Sequence, residues 1–133
     1  MCHLREPYRV FFPLGMLCGL AGVAIWPLYS FGLTATYSGR SHWLVQIFGF
    51  LYAFIAGFLL TAVPRFTGTE PPSLTTQLSL AGVLLVAAVS SELRAFAVAT
   101  VAFVAAHAML RTCSGWRRSS GGAPVSFVYN DRP

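Results

Sequence analysis

The sequence predicts an all-α protein, a polytopic transmembrane bundle of about four helices. Charged residues make up only 10% of the chain and apolar ones 56%, more apolar surface than a water-soluble domain of 133 residues can hide in one core. Apolar runs of membrane-crossing length recur, and the arginines fall between or beyond them. The same balance excludes a disordered chain, which needs low hydrophobicity and high net charge.

The first apolar run, about 10–33, is long enough to cross a hydrocarbon core of about 30 Å at about 1.5 Å per residue. Pro13 falls in its predicted first turn, where a missing N–H is harmless, and Pro27 near its far end is expected to kink or terminate it. The polar stretch TATYSGRS then forms a loop. A second run over about 42–63 is expected to end at Pro64, and RFTGTEPPS reads as an interfacial loop. The third run, about 73–91, is short and is extended by Ser73, Ser90 and Ser91. After the tight SSELR connection, a fourth, alanine-rich run covers about 93–111. Residues 1–112 therefore form the expected four-span unit, followed by a flexible cytoplasmic tail over 113–133, which is polar and rich in glycine and serine. The N-terminal run is too long and aromatic for a cleavable signal and lacks a small-x-small site, so the first span is expected to stay in the mature protein.

The net charge of +5 rests on arginine alone, since the chain has no lysine. Scattered arginines make no basic stripe for a phosphate backbone, so nucleic acid is not an expected partner and the lipid bilayer is. With an even number of spans both termini share a side. That side carries Arg5, Arg9, Arg65, Arg111, Arg117, Arg118 and Arg132, with Arg40 and Arg94 opposite, which predicts cytoplasmic termini. Gly15 and Gly19 form a GxxxG pair, and Gly49, Ala53 and Gly57 recur every four residues, a spacing that lets helices approach closely.

Cys2, Cys18 and Cys113 form no CxxC pair, and Cys18, within an apolar run, reads as a small packing residue. The acidic residues Glu6, Glu70, Glu92 and Asp131 fall in predicted loops or tails, so paired-carboxylate catalysis is not expected. With no general acid, base or substrate site recognisable, ordinary enzymatic turnover is not expected either. Histidine is the residue type left to ligate a haem or transition metal in an apolar bundle. His42 opens the second helix beside Trp43, where it is a candidate metal or cofactor ligand, or simply a partner for headgroups and water. His107 lies four residues before Arg111 in the last turns of the fourth run, where an ionisable group is a candidate cofactor ligand by default. Ala99, Ala102, Ala106 and Met109 are the residues that could surround it. Opposite helix directions separate the two histidines by about 20 Å or more in depth. A two-histidine site would need a second subunit, a partner such as Met109, or His3 from the tail.

The stretches EPYRVFFPLG, from Glu6 to Gly15, and GFLYAFIAGFLLTAVPRFTG, from Gly49 to Gly68, resemble the NnrS family of bacterial membrane proteins. The resemblance covers the first half of the chain best. The third and fourth runs match in apolar character, and the tail piece APVSFVY is similar to a family segment. The resemblance implies a bacterial inner-membrane protein containing haem and copper, linked to nitric oxide metabolism and resistance to nitrosative stress. Members are longer, so it also implies the N-terminal portion of the family fold, as a short paralogue or truncated copy. Many members carry a WHxHE-like element before the GF of the second helix. Aligned on Gly49 and Phe50, its first histidine matches His42, while its second falls on Leu44 and its acid on Val45. Two readings follow: a haem- or copper-associated protein, homo-oligomeric or working with a partner membrane subunit, in which His42 and His107 are ligands; or a cofactor-free bundle, a partner subunit or remnant of such a protein.

Overall fold

The computed structural model describes residues 6–68 and 71–113, which form four helices and no strand among them. Helix α1 is Tyr8–Ser30, α2 is Gly39–Thr67, α3 is Leu74–Glu92 and α4 is Phe96–Cys113. They run up and down, so one end of the bundle carries the start of α1 and the end of α4, and the other the α1–α2 and α3–α4 loops. His3 and the tail from residue 114 onward lie outside the described residues.

Helices α1, α2 and α3 are long and apolar enough to cross a membrane, with 23, 29 and 19 residues, and α4 is a shorter apolar helix. At about 1.5 Å per residue α2 extends about 43 Å, longer than the hydrocarbon core and so tilted or projecting, while α4 reaches about 27 Å. Leu17 and Val101 point outward with 67% and 70% of their surface exposed, while Ser41 and Ser91 are almost fully enclosed. Such an exposed apolar shell is stable against lipid and not against water. The chain is an integral membrane protein by this architecture.

Proline and capping explain where the boundaries depart from the sequence reading. Helix α1 starts at Tyr8 behind Pro7, so Pro13 falls in the second turn instead of the first. Its cost is one backbone bond near the helix end. Pro27 is carried inside α1, which ends one turn later at Ser30. Ser38 caps α2, its side chain accepting from the Ser41 N–H at 3.2 Å. The helix therefore begins at Gly39, and His42 sits within the first turn. Pro64 does not end α2, as its sequence position suggested. The helix runs on to Thr67 and is closed by Gly68 in the left-handed conformation, φ 66°. Helix α4 begins at Phe96, because residues 93–95 close α3 instead: the Ala95 N–H donates to the Ser90 carbonyl across Arg94, itself left-handed at φ 60°.

Helix α2 contains a π-helical segment over Val45–Leu51, a wider turn that no proline or glycine pair in the sequence announces. Around it the glycines act as sockets. A Cβ on Gly49 would stand 2.7 Å from the Cys18 Cβ, and one on Gly57 2.9 Å from that of Phe11. In the other direction the Phe54 and Phe50 rings lie over Gly15 and Gly19. The glycine faces are thus the α1–α2 seam. The core continues through Leu60, Leu80, Leu84, Ala106 and Leu110, with Cys18, Val45 and Ala88 forming a second cluster nearer the loop end.

Candidate functional site

At the loop end, α2 reaches across to α1 through two polar side chains. His42 Nδ1 lies 2.8 Å from the Gly22 carbonyl, and Gln46 Nε2 donates to the Gly19 carbonyl at 3.1 Å. Glycine leaves room for the second contact, because a Cβ at Gly22 would meet Gln46 Nε2 at 2.9 Å. A carbonyl only accepts, so Nδ1 must carry the proton and neutral His42 presents its lone pair at Nε2. No hydrogen-bond partner meets that nitrogen among the described residues. A second bond anchors the same turn: buried Ser41 donates to the Ser91 carbonyl at 2.7 Å. Glu92, the last residue of α3, lines a cavity of about 200 Å³ with Cys18, Val45 and Ala88.

His107 lies elsewhere. Its Nδ1 shares a 3.1 Å hydrogen bond with the Tyr52 hydroxyl. Tyr52 stands ten residues along α2 from His42, about 15 Å of helix. Of the residues expected to surround His107, Ala99 and Ala106 are buried, but the imidazole itself emerges at the edge of α4 beside Phe103. The two histidines are not brought together, and Met109 packs against the core cluster of Leu80 and Leu110. Among the described residues there is no group of three histidine, cysteine or acidic side chains positioned for a metal ion. Glu6, expected in a loop or tail, pairs with Arg65 at 3.0 Å.

Sequence reasoning missed Gln46, Tyr52 and the Gly22 carbonyl as neighbours of the histidines. Gln46 had a signal, being polar within an apolar run and four residues from His42; the others depend on which helices meet.

The family model described as NnrS protein matches residues 3–128. The chain belongs to the NnrS family. The match extends well past the first half of the chain, so α3 and α4 fall within the NnrS pattern and not merely within its apolar character. No curated protein and no solved structure matches the chain.

The haem and copper of NnrS proteins can be tested against this geometry. His42 fits the part of a single ligand: a backbone carbonyl fixes its tautomer and ring plane, the outer-shell arrangement typical of metal-bound imidazoles, and Nε2 is the donor. Leu44 and Val45, where the family element has its second histidine and acid, are 4% and 1% exposed and are packing residues. The nearby cavity is smaller than the roughly 300 Å³ at which pockets begin to enclose sizeable ligands. Around His42 the described residues therefore supply one oriented imidazole and no enclosed haem slot.

Proposed function

We propose that this NnrS protein associates with haem or copper in the bacterial inner membrane and serves nitric oxide handling or nitrosative stress resistance. The observation that carries the reading is the 2.8 Å contact between His42 Nδ1 and the Gly22 carbonyl, which orients Nε2 as a donor. His42 would hold the metal, and His107 is the second candidate, on a separate part of the bundle. A second copy of the chain or a partner membrane subunit would complete the ligand set. The metal, when bound, would supply an open coordination position for a diatomic molecule. The chain's own contribution is to fix the imidazole through Gly22, Gln46 and the Ser41–Ser91 anchor. The excess of arginine on the terminal side supports cytoplasmic termini.

The test is a visible absorption spectrum with metal analysis on detergent-purified protein, comparing wild type with His42→Ala and His107→Ala. The reading expects a haem Soret band or stoichiometric copper that is lost in His42→Ala. A folded, colourless, metal-free wild type would overturn it. That outcome would favour the second reading, a cofactor-free partner subunit or remnant, which the apolar packing of Leu44 and Val45 supports.

A further inference from the structure

Helix α4 turns an imidazole outward at a depth where lipid offers it no partner. His107 is exposed, and its Nδ1 shares the 3.1 Å bond with the Tyr52 hydroxyl. Tyr52 lies near the middle of α2, about 20 Å of helix from Gly39 and about 22 Å from Thr67, and His107 stands about 9 Å before the end of α4. Both positions place the ring within the hydrocarbon. The ring is also held in place: Phe48 stacks on Phe103 at 3.8 Å, and Phe103 lies 4.9 Å from the Tyr52 ring and 6.5 Å from that of His107. No hydrogen-bond partner meets Nε2 among the described residues. Neutral histidine can make the Tyr52 bond in either tautomer, so Nε2 is left as a bare donor or a bare acceptor. Either is costly in hydrocarbon, and ionisable side chains within membranes almost always face a protein interior.

The face around His107 has the spacing of a helix seam. Ala97, Thr100, Val104 and His107 follow one another at intervals of three, four and three, and all are exposed. That is the repeat by which two helices interlock along their length. Ala97 is small enough for close approach, and the Thr100 hydroxyl donates to the Phe96 carbonyl of its own helix. Arg111, four residues on in the last turn, falls at the headgroup level, where a long side chain carries its charge into water. Whatever meets the seam must offer, at the depth of His107, a group that can donate or accept. A second copy does so by symmetry. Copies inserted in the same orientation are related by a two-fold axis along the membrane normal, so His107 meets its own counterpart at its own depth. One ring accepts from Tyr52 at Nδ1 and carries its proton on Nε2, while the other donates from Nδ1 to Tyr52 and accepts at Nε2. We propose that α4 docks against α4 of a second copy along this seam, joined by a hydrogen bond between the Nε2 atoms of the two His107 rings. Neither ring is charged and no metal is needed, so the interface stands apart from the cofactor reading and leaves His42 untouched.

The test is fluorescence energy transfer between full chains labelled at their amino termini with donor or acceptor, in lipid vesicles over a range of protein-to-lipid ratios. Wild type should dimerise. His107→Leu should weaken the dimer about three- to tenfold, the range of one hydrogen bond between transmembrane helices. His107→Gln, which keeps a donor and an acceptor, should retain most of the affinity. Val104→Phe, which leaves His107 intact and adds bulk to the seam, should weaken the dimer as well, with far-UV circular dichroism verifying that each variant is helical. Oxidative cross-linking locates the seam in a background of Cys2→Ser, Cys18→Ala and Cys113→Ser. Val104→Cys should cross-link, whereas Leu17→Cys on the outer face of α1 and Val98→Cys, beside Val83 on the other flank of α4, should not. A wild type monomeric at every ratio, a dimer indifferent to His107→Leu and Val104→Phe, cross-linking from Leu17→Cys in place of Val104→Cys, or a dimer that EDTA dissolves, as a bridging metal would require, would each overturn the proposal.

Discussion

Gly49→Ala is the substitution that most directly probes how α1 and α2 are held. The added methyl would stand 2.7 Å from the Cys18 Cβ and 3.1 Å from its Sγ. A Cβ cannot rotate away, so the helices must separate, and overpacking of this kind costs about 1–3 kcal/mol. At Gly15 the corresponding methyl meets the Phe54 ring edge at 2.7 Å, and a ring can turn, so Gly15→Ala should cost less. The obstructing atom at Gly49 makes the prediction specific. Cys18→Gly removes that Cβ and should restore most of the loss, a coupling of about 2 kcal/mol between the two sites. Cys18→Ala removes only the sulfur and should restore little. The assay is reversible SDS unfolding in mixed micelles followed by far-UV circular dichroism across the double-mutant cycle. The reasoning fails if Gly49→Ala lies within about 0.5 kcal/mol of wild type, or if Cys18→Ala rescues as well as Cys18→Gly.

Ser41→Ala should cost about 1 kcal/mol in the same assay, since it removes a buried interhelical bond, whereas Ser91→Ala, whose hydroxyl donates within its own helix to Ala87, should be nearly neutral. Tyr52→Phe keeps the ring contact with Phe103 and loses only the His107 bond. About 0.6 kcal/mol of stability should go with it, close to the average for such bonds in a membrane protein, and a loss above about 2 kcal/mol would contradict that assignment.

The fold class was legible because lipid requires little more than apolar length, and the runs ending near Leu33, Val63, Val89 and Leu110 supplied it. Boundaries were less so. Pro64 reads as a stop, yet a helix tolerates the lost bond near its end when Gly68 is there to close it. The end of α3 uses Arg94 in a conformation that glycine normally signals, so the sequence carried no mark of it. The glycine spacing did announce a close seam, although only the packing of Cys18 and Phe11 into Gly49 and Gly57 identifies the partner as α1. For the site, His42 stood out by residue type and by its match to the family element. What orients it did not, because the Gly22 carbonyl belongs to another helix and every residue has a carbonyl. His107 illustrates the same limit: its small neighbours on α4 suggested enclosure, and Tyr52 from α2 instead holds it at the bundle's edge.

The central claim, that His42 is a metal ligand in this NnrS protein, is tested most directly by His42→Gly with added imidazole. That variant removes the ligand and leaves a space that a free imidazole can fill. The prediction is that the wild type purifies with haem or copper, and that His42→Gly loses it and regains it, with the wild-type spectrum, when imidazole is supplied. Full cofactor content in His42→Gly without imidazole would contradict it.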